Sequence, residues 1–394
     1  MKISTQITTL TGGGSDGWDL FNTSRDMIDA GISVIELTIG EHDIRTAQPI
    51  LDEMHRAATA GHTGYAAIPG TRALRDTVAE RVTHRTGVPT TRDNVLITPG
   101  GQSALFAAHM AVCDPGDTAL FIDPFYATYP GTLRAAGAVP KAIEAAPSHA
   151  FQPQAADIAR AAHGARSLLI NTPNNPTGVV YSADTLSGIA DVAQDYDLWL
   201  ISDEVYDTQV WDGVHLSPRA LPNVAERTLV VGSMSKSHAM TGSRIGWVLG
   251  PEEVIAHLTN LATHTTYGVA GFLQDAAHWA LLQGAPFEAE IAAPFQRRRD
   301  MARAILADQN VVGLVPAQGA MYLMLDIRAT GLDGDGFANA LLDRHHIAVM
   351  PGESFGKAAA GHIRVAMTIS DAAFGQALQT LCEFAATLAK QNLA

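Results

Sequence analysis

Through the middle of the chain, short runs of β-branched and aliphatic residues alternate with stretches of helical apolar periodicity. The runs fall at Asn94–Thr98, Thr118–Ile122, Ser167–Asn171, Leu198–Ser202, Thr228–Gly232 and Ile245–Leu249, with a weaker one near Ala138–Ile143. Helical patterns separate most of them, among them Ser103–Val112, Ala183–Tyr196 and Pro251–Thr263. Strands alternating with helices predict βαβ units and a mostly parallel sheet covered on both faces. From about residue 287 the pattern changes. A basic helix at Gln296–Ala307 leads to a strand-like run at Ala320–Ile327 and a helix over about Gly336–His345. Further runs follow at His346–Met350 and His362–Thr368, then a terminal helix to about Lys390. The chain reads as α/β: a large domain over 46–286 with a seven-stranded sheet, and a smaller α+β domain from 1–45 and 287–394.

Ligands of an open α/β sheet sit at the carboxyl ends of its strands. Those ends here carry Pro99-Gly100-Gly101-Gln102, Asp123-Pro124-Phe125-Tyr126, Thr172-Pro173-Asn174-Asn175-Pro176, Asp203-Glu204-Val205-Tyr206 and Ser233-Met234-Ser235-Lys236. Five consecutive ends deliver polar or aromatic groups to one edge, which a purely structural sheet does not require. Taken singly, each has a plain role: a strand–helix turn, a solvated lysine, a capping aspartate, a core tyrosine. Taken together they suggest a site. Gly100-Gly101-Gln102-Ser103 opens a helix after a strand, where free N–H groups and the helix dipole favour a phosphate. Ser233, Ser235 and Arg244 would complete such a cradle. Arg244 precedes the Ile245–Leu249 run, so it reaches this edge only if that strand is antiparallel to its neighbours.

Composition narrows the field. A chain of 394 residues is too long for one ordinary core, and 47% hydrophobic with 17% charged residues is a globular composition. The formal net charge of −14 disfavours nucleic acid or an anionic membrane surface as the main partner. Two cysteines, Cys113 and Cys382, build neither a disulfide framework nor a four-ligand zinc site, so no metal is expected. No apolar run fits a signal peptide or a membrane helix, and the expected location is the cytoplasm.

In this order along the chain, the motifs resemble those of class I/II aminotransferases, a branch of the fold-type I pyridoxal-phosphate (PLP) enzymes. They are Tyr65-Ala66-Ala67-Ile68-Pro69-Gly70, Thr98-Pro99-Gly100-Gly101-Gln102-Ser103-Ala104-Leu105, Asn174-Asn175-Pro176-Thr177-Gly178, Ser202-Asp203-Glu204-Val205-Tyr206, Ser233-Met234-Ser235-Lys236 and Thr241-Gly242-Ser243-Arg244-Ile245-Gly246. The likeness extends from Leu37-Thr38-Ile39-Gly40-Glu41 to Gly361-His362-Ile363-Arg364-Val365. It implies that Lys236 holds PLP as a Schiff base and later moves the proton at the substrate α-carbon. It further implies that Asp203 pairs with the pyridine nitrogen, that Tyr206 and Asn175 contact the ring oxygen, and that Tyr126 stacks on the ring. Gly101, Gln102, Ser233, Ser235 and Arg244 match the phosphate cradle. Arg364 matches the clamp for the substrate α-carboxylate, with Gly40 and Asn175 as secondary contacts. Tyr65 resembles the tyrosine lent by a neighbouring subunit, which implies a homodimer with shared active sites. The implied reaction moves an amino group from an L-amino acid to a 2-oxo acid in a ping-pong cycle.

Departures from the family pattern bear on specificity. Gln102 offers no charge for a second carboxylate, and no arginine occurs in Leu261-Ala262-Thr263-His264-Thr265-Thr266-Tyr267, which resembles the partner-donated loop. These favour a neutral or aromatic donor over a dicarboxylate. Glu41-His42-Asp43-Ile44 replaces the common Glu-Pro-Asp-Phe form. A β-lyase or decarboxylase of the same fold is the main alternative. Gly12-Gly13-Gly14-Ser15-Asp16-Gly17 fits G-x-G-x-x-G, with Glu36 nineteen residues on, but no strong strand precedes it as an NAD-dependent oxidoreductase would require. A transcription regulator on this fold would carry an added N-terminal DNA-binding domain, yet the resemblance begins within the first 40 residues.

Overall fold

The computed structural model describes residues 1–13 and 17–392. Part of the dinucleotide-like run, Gly14-Ser15-Asp16, lies outside the described residues. Among the described residues the twelve strands are β1 (Ile35–Leu37), β2 (Val95–Pro99), β3 (Thr118–Asp123), β4 (Val139–Glu144), β5 (Ala165–Asn171), β6 (Trp199–Asp203), β7 (Thr228–Ser233), β8 (Ile245–Leu249), β9 (Gly313–Leu314), β10 (Tyr322–Asp326), β11 (Ile347–Pro351) and β12 (His362–Ala366).

Seven of them form one sheet in the order β2-β8-β7-β6-β5-β3-β4. Pairing is parallel from β7 through β6, β5 and β3 to β4. Strand β8 alone is antiparallel, to both β2 and β7. The condition set for Arg244 is therefore met. The central strands are buried over most of their length, with Leu200, Ile201, Leu229 and Val231 at 0% exposure. Each such side chain contributes about 1.5–3 kcal/mol relative to exposure. Burial on both faces follows from the helices on either side. The helix Gly100–Val112 packs on β7 and β8, and its apolar residues join those of β3 and β6 in one core cluster. A second cluster fills the other side of β2, β7 and β8 with the helices Arg72–Thr86 and Gly271–Leu282.

The second sheet has the order β1-β11-β12-β10-β9, so residues from both ends of the chain share it. Arg364 sits at the middle of β12, opposite Met324 and Met350 on its neighbours. The expected basic helix is longer than its sequence pattern suggested. It runs Gly284–Ala307 as one piece, with Pro294 inside, and passes through the boundary expected near residue 287. Its Arg298 forks onto Asp43 at 3.0 and 2.7 Å and reaches Asp371 at 2.8 Å. That arginine fixes the segment leaving β1 against two helices. The segment, Thr38 to Asp43, then crosses to the edge of the large sheet. Among the described residues, no helix is long and apolar enough to cross a membrane.

Candidate active site

The carboxyl ends of β2, β3, β5, β6 and β7 and the amino end of β8 open on one pocket of about 340 Å³. Its lining includes Gly40, Gly101, Gln102, Tyr126, Asn175, Asp203, Tyr206, Ser233, Ser235, Lys236, Arg244 and Arg364. Every candidate residue is there except Tyr65. Tyr65 is 90% exposed and packs edge-to-face on Tyr267 at 5.1 Å, outside the pocket. A larger cavity of about 930 Å³ adjoins the pocket and shares Trp18 and Gln102 with it. Of the candidate polar groups it holds only Gln102, and the others gather in the smaller space.

Lys236 lies in the one-turn helix Met234–Ser237 that follows β7. Its amine donates to the Gly40 carbonyl at 2.5 Å. Burial lowers its pKa below the ordinary lysine value, with Arg364 and Arg244 nearby adding to that and Tyr322 and Glu41 opposing it. A buried amine with a lowered pKa suits both nucleophilic attack and proton transfer.

Asp203 ends β6 and is 4% exposed. Tyr129 donates to its Oδ2 at 2.7 Å and the Val205 N–H to its Oδ1 at 3.3 Å. Burial pushes its pKa up to about 6, against the pull of these two hydrogen bonds. Among the described residues neither of these donors is a cation. A carboxylate so enclosed is complete only with a positive group against it, and a protonated ring nitrogen is such a group.

Arg364 is 1% exposed. Its Nη1 donates to Asn175 Oδ1 at 2.8 Å and its Nη2 to the Thr38 carbonyl, while its Nε has no partner among the described residues. The guanidinium lies 4.3 Å from the ring centre of Tyr322 and 4.4 Å from that of Phe355. A buried guanidinium with spare donors and no carboxylate bonded to it is a receptor for one.

At the other end of the pocket, Gly100 has φ +79° and opens the helix Gly100–Val112. A Cβ there would strike the Arg244 guanidinium. Arg244 itself holds φ +52° and donates to the Thr241 carbonyl at 2.9 Å. Ser233 caps the Lys236 turn, its Oγ accepting from Ser235 N–H at 3.1 Å. The Gln102 side chain is turned away onto Thr132 at 2.7 Å and Thr128 at 3.1 Å, leaving its backbone N–H as its contribution to a cradle. Glycines, first-turn N–H groups, serines and one arginine form a donor set for a phosphate. Tyr126 lies among Tyr322, Arg364, Asp203 and Arg244, and burial raises its pKa to about 12, so it stays neutral.

Sequence reasoning missed Tyr129 and Tyr322. Tyr129 lies three residues past Tyr126 at the start of the helix Tyr129–Ala135, which a helical reading of that loop would have exposed. Tyr322 begins β10, in a segment read only as a strand-like run.

A pocket that joins a buried amine, a buried carboxylate, a phosphate cradle and a carboxylate-seeking arginine is that of a group-transfer enzyme acting on amino acids. The chain matches the aminotransferase class I and II family over residues 32–381. It is 37% identical over 392 residues to the arginine–pyruvate transaminase of Pseudomonas aeruginosa, covering 99% of this chain and 100% of that one. The aspartate/prephenate aminotransferase of Thermus thermophilus is 34% identical, covering 89% and 90%. The solved aspartate aminotransferase of Thermus thermophilus with maleate superposes with a TM-score of 0.90 at 31% identity, covering 97% and 99%. The chain belongs to the class I and II aminotransferase family and is a transaminase.

Proposed function

We propose that the pocket holds pyridoxal phosphate on Lys236 and transfers the amino group of an L-amino acid to a 2-oxo acid in two half-reactions. The observation that carries this is the enclosed Asp203 carboxylate at the end of β6, beside the buried Lys236 amine at the end of β7. In this reading Asp203 faces the ring nitrogen, Tyr206 and Asn175 the ring oxygen, and Tyr126 the ring face. The phosphate takes the N–H groups of Gly101 and Gln102, the hydroxyls of Ser233 and Ser235, and Arg244. When bound, the cofactor supplies an electron sink for the charge left at the substrate α-carbon. Arg364 holds the α-carboxylate, with Gly40 and Asn175 beside it, and so aims the Cα–H at Lys236. The Lys236 amine takes that proton and returns it. Residues 1–45 and 287–394 act as a small domain that closes on 46–286 and excludes water.

Two copies form the active dimer, and the exposed Tyr65 of each serves the phosphate of the other. The cytoplasm is the place of action. The donor is neutral or aromatic, because among the described residues the only arginines and lysines that line the pocket are Arg364, Arg244 and Lys236. A cationic donor is the second reading. Asp19, Asp335 and Glu353 line the adjoining cavity, and burial with Glu353, Asp333 and Asp19 nearby raises the pKa of Asp335. A side-chain cation there would relieve that crowding. The test is incubation with pyridoxal phosphate, borohydride reduction and mapping of the adduct. Retention of label on Lys236 supports the reading; a colourless protein with no adduct there ends it. A rapid-mixing panel of amino acids, arginine included, then ranks the donors.

A further inference from the structure

We infer that Tyr322 is a positioning residue of this site, its ring holding the Arg364 fork and its hydroxyl orienting the Tyr206 phenol. The inference rests on the cofactor reading above and extends it to a residue outside the motifs. Tyr322 is 3% exposed and begins β10, beside the strand that carries Arg364. Three contacts converge on it. Its ring lies 4.3 Å from the Arg364 guanidinium carbon. Its hydroxyl lies 3.2 Å from that of Tyr206, with the two rings edge-to-face at 6.0 Å. The same hydroxyl lies against Gly40, where any Cβ would collide with it, and the Gly40 carbonyl takes the Lys236 amine.

Each contact does something the other residues do not. The N–H donors of a guanidinium point outward in its plane, so the bonds from Arg364 to Asn175 and Thr38 set the direction of the fork. They do not resist tipping of that plane. Aromatic faces on the guanidinium do, and here Tyr322 and Phe355 supply them. At the hydroxyl, Tyr206 has one proton to donate. If Tyr322 donates to the Tyr206 oxygen, the Tyr206 proton is directed to the cofactor ring oxygen, and an accepting phenol is also the stronger donor. No other hydrogen bond to either hydroxyl is present among the described residues. Gly40 follows from the same arrangement: it leaves the room in which the Tyr322 hydroxyl sits.

The two halves are separable by substitution in the full-length protein loaded with pyridoxal phosphate. Tyr322→Phe keeps the ring and removes the hydroxyl. Weaker donation from Tyr206 leaves more negative charge on the ring oxygen, which holds the neighbouring proton more tightly. The pH at which the visible band titrates then moves up by roughly 0.3–1 unit, the size of one net hydrogen bond. Tyr206→Phe moves it in the same direction, and Tyr322→Phe adds little on top of Tyr206→Phe. The KM for the amino donor stays within about 3-fold, since the stacked ring remains. Tyr322→Leu removes the ring as well and raises that KM by about 10- to 30-fold with the cofactor still bound. Should that variant not fold, Tyr322→Met, which fills the space without a ring, carries the same readout. A Tyr322→Phe band that titrates as wild type, or a shift fully additive with Tyr206→Phe, overturns the hydroxyl role. A ringless variant with wild-type KM overturns the clamp. If wild-type protein shows no visible band with the cofactor, the cofactor reading falls and this inference with it. If the band is present and the Tyr322 variants behave as wild type, only this inference falls.

Discussion

At the scale of single residues, the site is a balance between burial and charge. Lys236→Ala is expected to keep pyridoxal phosphate in the pocket through the phosphate cradle while turnover falls by about four orders of magnitude or more. Single-turnover absorbance with a saturating donor checks this. Arg364→Ala should leave the cofactor spectrum nearly intact and raise the donor KM by roughly 100-fold or more, the cost of a lost buried charge-assisted pair. Release of the cofactor in that variant would contradict the assignment. Asp203 gives a prediction for the cofactor-free protein. Its pKa is near 6 when folded and about 3.9 when unfolded. Since the folded value is the higher one, its contribution to stability is full below about pH 4 and lost as pH rises through about 6, worth roughly 3 kcal/mol. Asp203→Asn should therefore be more favourable, relative to wild type, at about pH 8 than at about pH 4, as read by denaturant unfolding. Asp123, lifted to about 6 by burial, titrates with the same sign in both proteins and cancels.

At the scale of elements, the junction between β2 and its helix decides whether an anion can approach. Gly100 holds a left-handed backbone there, and its bare Cα is what the Arg244 guanidinium rests against. Gly100→Ala adds strain of about 1–2 kcal/mol and displaces Arg244. Weakening of pyridoxal phosphate binding by about 10-fold or more is expected, by titration of the cofactor-free protein. The strands were legible because each is short, β-rich and bounded by polar or glycine residues at its carboxyl end. Reading missed β1 and β9, of three and two residues, and the full length of the helix Gly284–Ala307. Segments so short carry no periodicity, and Pro294 reads as a break although the helix continues through it. The motif residues were legible because the fold places strand ends together. Tyr129 was not, because its hydrogen bond to Asp203 joins positions 74 apart and leaves no local pattern.

At the scale of the molecule, the proposal of a shared site makes a sharp demand. A chain with Tyr65→Ala keeps its own Lys236 but withholds the residue its partner needs. A chain with Lys236→Ala does the reverse. Mixed and refolded together, the two should recover activity in hybrid dimers, one working site in each, while Lys236→Ala alone remains inactive. Sedimentation of the mixture verifies that hybrids form. If mixing restores nothing, Tyr65 does not act across subunits. The single chain fits this expectation in that Tyr65 and Tyr267 stand exposed as an aromatic pair, which soluble surfaces rarely present without a partner.

The order of motifs along the chain was enough to indicate a mostly parallel sheet and the chemical types gathered at the carboxyl ends of its strands. Alternating strands and helices admit few arrangements, and strand ends carry function in all of them. The sequence left open which of those groups are enclosed and what they touch. The direction of β8, the hydrogen bond from Tyr129 to the buried Asp203 and the placing of Tyr322 between Arg364 and Tyr206 depend on packing between distant segments. Only the folded chain brings those segments within hydrogen-bonding distance, and at that range burial rather than residue type sets the charge each group holds.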